Sequence, residues 1–152
     1  MMLDLPCHFF SQGINILREL PRRESLIELH GVVDAGGGLI DGMLFPFIFG
    51  HNLGEMKAAT SRQKEKWKAM IIDAMRFLHR HNAFWGDAKE FNIIINQEGI
   101  PILADFGGGF AQGWVEEPLS GTAKGDEQGV KRMLQRIDKL KTAPESIEAT
   151  ES

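Results

Sequence analysis

Cysteine is almost absent from this 152-residue chain. Its one cysteine, Cys7, excludes an internal disulfide and points to a reducing compartment. The N-terminus lacks the basic stretch and long apolar run of a secretory signal, and no uninterrupted apolar segment approaches membrane-spanning length. Basic residues are not in excess either: 17 Lys and Arg stand against 21 Asp and Glu, for a formal net charge of −4, which argues against a nucleic-acid-binding surface. No internal repeat or interdomain linker stands out. By default, then, the sequence predicts an intracellular, cytoplasmic protein with neither a membrane nor a nucleic acid as partner. With 43% apolar and 25% charged residues, the length suits one domain around one core.

Chemistry is concentrated between Trp85 and Gly107. Trp85-Gly-Asp-Ala-Lys-Glu-Phe-Asn92 and Ala104-Asp-Phe-Gly107 set Asp87, Lys89, Asn92 and Asp105 at successive spacings of two, three and thirteen residues. Isoleucines 93 to 95 follow the asparagine, and Pro101-Ile-Leu103 precedes the second aspartate. Taken alone, a D-x-K-x-x-N hexamer is a weak signal, because acidic, basic and amide residues collect in solvated loops. Here it follows a long amphipathic helix, leads into a strand, turns through Asn96-Gln-Glu-Gly99 and returns as a strand ending at Asp105. In that order the block resembles the catalytic loop and metal-binding aspartate of the protein kinase family.

The resemblance implies a role for each residue. Asp87 is the catalytic base for an acceptor hydroxyl, and Lys89 is a compact cation beside the transferring phosphate. Asn92 and Asp105 are ligands of Mg²⁺, an incomplete oxygen shell that the phosphates of ATP complete. The residue types suit the chemistry, since phosphoryl transfer asks a protein mainly for charge neutralisation and an oriented nucleophile. Cofactors implied are ATP and Mg²⁺; partners implied are a nucleotide and a protein substrate.

The expected fold is α+β and protein-kinase-like, comprising a partial small lobe (an αC-like helix plus two strands) and a partial, mostly helical large lobe. It spans residues 9–140, with 141–152 as a polar, acidic, disordered tail. Apolar positions 10, 14, 17 and 20 predict a helix ended by Pro21. Residues 26–33 and 39–49 read as strands joined by Asp34-Ala-Gly-Gly-Gly38, a hairpin turn rather than a phosphate-cradling loop, since no G-x-G-x-x-G pattern follows. Phe45 falls at the family's gatekeeper position, Pro46 and Ile48 on the hinge that faces adenine, and Asn52 near the ribose. The strongest predicted helix, 61–81, buries Trp67, Met70, Ile71, Ala74 and Leu78 and leaves its lysines on a solvated face. His79 and His81 lack the carboxylate or cysteine company of a metal site. Gly108 to Pro118 sits where the family keeps its activation segment, and Gly121-Thr122 resembles its substrate-positioning pair. Asp126 reads either as the family's structural aspartate or as a helix N-cap.

Departures bear on activity. The chain has no glycine-rich loop before its first helix and no V-A-I-K-like strand, and Gly13 stands where the partner glutamate belongs, with Glu19 too late in the helix. Trp85-Gly86 replaces His-Arg. The pattern looks like a divergent fungal-type, truncated kinase domain with weak turnover or none, covering about residues 9–137. Two alternatives stand beside it: a pseudokinase-like interaction module using an open sheet edge, and a small-molecule kinase of the aminoglycoside or choline type. Lys89 argues against the latter, which generally has histidine there.

Overall fold

The computed structural model describes residues 7–106 and 113–145, with side chains from Gly13 onward. The fold is mixed α+β. Among the described residues, three α-helices, α1 (Cys7–Glu19), α2 (Ser61–Arg80) and α3 (Ala123–Asp138), accompany seven short strands: β1 (Gly31–Gly36), β2 (Leu39–Leu44), β3 (Gly50–Asn52), β4 (Ala58–Thr60), β5 (Ile93–Asn96), β6 (Pro101–Leu103) and β7 (Lys141–Ala143).

Helix α2 is the scaffold. Thr60 and Gln63 form a reciprocal capping box at its start, which satisfies N–H groups that otherwise have no partner in the first turn. Its buried face, Trp67, Ile71, Ala74, Met75, Phe77 and Leu78, meets Val130, Met133 and Ile137 of α3 and Ile93 and Leu103 of the small sheet in one core. Met70 is only partly buried. Lys64 departs from the solvated reading: only 8% exposed, it turns its ammonium onto the carbonyl oxygens of Leu140 and Asp138 and the Thr142 hydroxyl. A lysine on α2 thereby supplies donors to the C-terminal carbonyls of α3, where a cation is favoured.

The sheets are small and separate: β1 pairs with β2, β3 with β5 and β5 with β6, all antiparallel, and β4 runs parallel to β7. The glycine turn between β1 and β2 is confirmed, with Gly36, Gly37 and Gly38 all at positive φ. Strand limits are narrower than the sequence suggests. Residues 26–30 are not a strand; Leu26 instead makes an isolated parallel bridge to Leu103, fixed by Leu103 N–H to Ser25 O and Ile27 N–H to Leu103 O. The second strand ends at Leu44, and residues 45–49 form no strand before β3, although Phe49 O accepts from Gln97 N–H at 3.1 Å. The tail expected from 141 is corrected at its start, because Lys141–Ala143 aligns with Ala58–Thr60 as a strand. Residues 146–152 lie outside the described residues. No helix among the described residues is long and apolar enough to cross a membrane.

Candidate functional site

The loop 85–92 is held from three sides. Trp85 is fully buried and its indole N–H donates to Ala104 O at 2.8 Å, joining the loop to the residue before Asp105. From α3, Asp126 accepts the backbone N–H groups of Trp85 at 2.7 Å and Gly86 at 2.9 Å. From α2, His79 Nε2 lies 3.0 Å from the same carboxylate and donates to it. Gly86 has φ +83°, a conformation that favours glycine and aims its N–H at Asp126. Asp126 is therefore not the N-cap: that role belongs to Thr122, whose hydroxyl accepts from Gly125 N–H. Close approach of α3 to the loop depends on Gly129, where a Cβ would stand 2.4 Å from Ala88 O.

Strand pairing then assembles the polar group. Ile93 lies opposite Leu103, and Ala104 N–H donates to Asn92 O at 2.9 Å, so Asp105 emerges beside Asn92. The Asn92 amide nitrogen donates to Asp87 O at 2.9 Å and to Asp87 Oδ2 at 2.8 Å. With Nδ2 so committed, the amide oxygen points the other way as an acceptor. Lys89 Nζ lies 3.5 Å from Asp87 Oδ2. Glu90, buried in the same loop, is paired with Arg136 of α3 at 3.2 Å. No local pattern hints at that pairing, because the two side chains belong to segments that only tertiary packing brings together.

The electrostatics are short of positive charge. Asp87 Oδ1 is buried and has no hydrogen-bond partner among the described residues. Asp105 is exposed, but partial loss of hydration raises its pKa above the ordinary 3.8; the neighbouring Asp87 carboxylate pushes the same way, with Lys89 opposing. Asp105 also has φ +61°, a left-handed backbone that aspartate tolerates at some cost and that is found disproportionately at functional sites. Two carboxylates and an amide oxygen, with one buried oxygen unsatisfied, fit a hard divalent cation, which takes oxygen ligands and relieves such repulsion.

The candidates 87, 89, 92 and 105 converge, whereas the expected nucleotide contacts do not join them in one enclosed cavity. Pro46 and Ile48 line a separate cavity of about 680 Å³ with Leu17, Leu20, Leu26 and Ile102. Phe45 is partly exposed. Asn52 is already engaged: its side-chain oxygen accepts from Gly54 N–H at 2.8 Å and its amide donates to Phe91 O, so it serves the local turn rather than a free ribose contact. Thr122, the proposed substrate-positioning residue, spends its hydroxyl on the α3 cap. Gly107 and the first part of the glycine-rich segment, residues 108–112, lie outside the described residues. His79 and His81 point to different partners, Asp126 and Phe77 O. No protein-family model and no curated protein matches this chain.

Proposed function

We propose that this chain is a protein-kinase-like domain that binds ATP with Mg²⁺ and retains weak phosphoryl transfer, or none, to protein hydroxyls. The observation that carries the reading is the meeting of Asp87, Lys89, Asn92 and Asp105 across eighteen residues of sequence in the order the catalytic-loop resemblance requires. Asn92 Oδ1 and Asp105 would hold the cation, which supplies charge neutralisation on the phosphate oxygens. Asp87 orients and accepts the proton of the acceptor hydroxyl, and Lys89 places a point charge beside it. Residues 1–152 supply no lysine–glutamate pair of the kind that holds the phosphates in that family, so turnover by these residues alone is expected to be lower by roughly 10²- to 10³-fold or more.

Thermal unfolding with ATP, with and without Mg²⁺, tests this. A ligand at about ten times its Kd adds roughly 1.4 kcal/mol to the folded state, so melting should rise by a few degrees only when both components are present. Asp105→Ala should abolish the rise. The absence of any shift at millimolar nucleotide would overturn nucleotide binding. The second reading, an interaction module without turnover, is favoured by the exposed apolar residues of β1 and β2; it expects partner binding that is indifferent to Asp87→Asn.

A further inference from the structure

The hairpin of β1 and β2 stands largely uncovered. Its strands pair only with each other, so among the described residues the outer edge of each carries no ladder partner. Val32, Val33, Leu39, Ile40 and Leu44 are 43%, 40%, 60%, 41% and 54% exposed. Successive strand residues point to opposite faces, so the neighbouring pairs Val32-Val33 and Leu39-Ile40 put open apolar surface on both. The stripe continues past Leu44 into Phe45, Phe47 and Phe49, with Phe47 81% exposed and its ring 4.8 Å from that of Phe49.

A two-stranded ribbon with apolar surface open to water on both faces is marginal, even with α1 lying against part of β2. Native edges are normally protected by lysine, proline or bulges. From Gly31 to Leu44 this ribbon has no lysine, arginine or proline, and its irregularities sit at Val33/Asp34 and Asp34/Gly36, near the turn. The end running from Gly31–Val33 to Gly42–Leu44 is left regular and unguarded. The only charges in the hairpin are Asp34 and Asp41. Asp34 accepts from Gly36 N–H at 2.7 Å within the turn, while Asp41 is exposed and has no ion-pair partner among the described residues.

We propose that this ribbon takes a third strand from another protein: an extended, β-branched apolar segment carrying lysine or arginine. The open backbone edge calls for an extended partner whose main chain completes the ladder. The apolar faces call for apolar side chains at alternate positions. The two carboxylates, with no cation in fourteen residues, call for basic ones between them. A second copy of the chain is a poor occupant, since ribbon against ribbon sets four carboxylates together without a counter-charge. This interaction goes beyond phosphoryl transfer and does not depend on it.

The probe is a fluorescein-labelled decapeptide of alternating valine and lysine, read by anisotropy at low salt and by amide hydrogen exchange on the intact chain. Binding should slow exchange of amides within 31–44 by tenfold or more. Asp41→Lys should weaken it at least tenfold, and Leu39→Thr should weaken it without changing the charge. Glu127→Lys, an equal charge reversal on the exposed side of α3, should leave affinity unchanged, and a decapeptide with central proline should not bind. The proposal is overturned if a decapeptide with every lysine replaced by glutamate binds equally well, if protection appears only outside 31–44, or if Asp41→Lys and Leu39→Thr both bind like the parent. It is equally overturned if sedimentation shows a dimer whose ribbon amides are protected without peptide.

Discussion

Asp126 holds the backbone N–H of Trp85 at 2.7 Å across 41 residues of sequence. The same carboxylate takes Gly86 N–H and His79 Nε2, so a single buried side chain on α3 ties α2 to the start of the loop that carries Asp87. Asp126→Ala should leave two buried N–H groups without acceptors and cost about 3 kcal/mol, since each orphaned group costs roughly 1–3. Asp126→Asn keeps one acceptor oxygen and should cost less. Urea unfolding measures both, and equal stability of Asp126→Ala and the parent would contradict this role.

Gly129→Ala tests how tightly α3 meets the loop. In an exposed helix interior the change stabilises by about 1 kcal/mol. Here the added Cβ stands 2.4 Å from Ala88 O and 2.8 Å from Ala88 Cβ, so the expected sign is reversed and the cost is about 1–3 kcal/mol of overpacking. Lys131→Ala, at an exposed position of the same helix, is the comparison.

Lys64→Met should uncouple the end of α3. It removes the donor that meets Leu140 O, Asp138 O and the Thr142 hydroxyl, leaving carbonyls at a helix end without partners, at about 1–3 kcal/mol. Hydrogen exchange should quicken first in residues 141–143, whose pairing with β4 begins beside that cluster. Uniform exchange change across the chain would argue against a local role.

Asp105 gives a pH dependence with a defined sign. Its folded pKa is raised above 3.8, first by partial burial and then by Asp87, so in the window above 3.8 the folded chain holds more protons than the unfolded one. Stability contributed by this group is therefore greatest below that window and falls as pH rises through it. Asp105→Asn should stabilise the chain at neutral pH, and the difference should close in acid below 3.8. Mg²⁺ added together with ATP should raise the melting temperature of the parent and leave Asp105→Asn unmoved. A melting difference independent of pH would show that the substitution acts by packing alone.

Much of the local architecture was legible in the residues. The 61–80 helix follows from an apolar stripe at helical spacing and a Thr-x-x-Gln cap. The Asn96–Gly99 turn and the triple-glycine hairpin follow from side chains and backbone freedoms that act within four or five residues. The convergence of Asp87, Asn92 and Asp105 was legible too, because one tight antiparallel turn separates β5 from β6 and allows little choice of register. Short-range chemistry, read in order, therefore determined the elements and the core of the candidate site.

Tertiary packing decided the rest. Whether Asp126 capped its own helix or held a distant loop was open in the sequence, since an aspartate near a helix start can serve either purpose. Burial settled it, because backbone N–H groups taken out of water at Trp85 and Gly86 need an acceptor, and this carboxylate is the one within reach. Lys64 was one charge among several on α2 until α3 ended against it, and Asn52 was free until Phe91 O came within its reach. Such pairings span tens of residues. Periodicity fixes which side of an element is apolar, but only the close packing of α2, α3 and the small sheets fixes which polar groups lose water together and must satisfy one another.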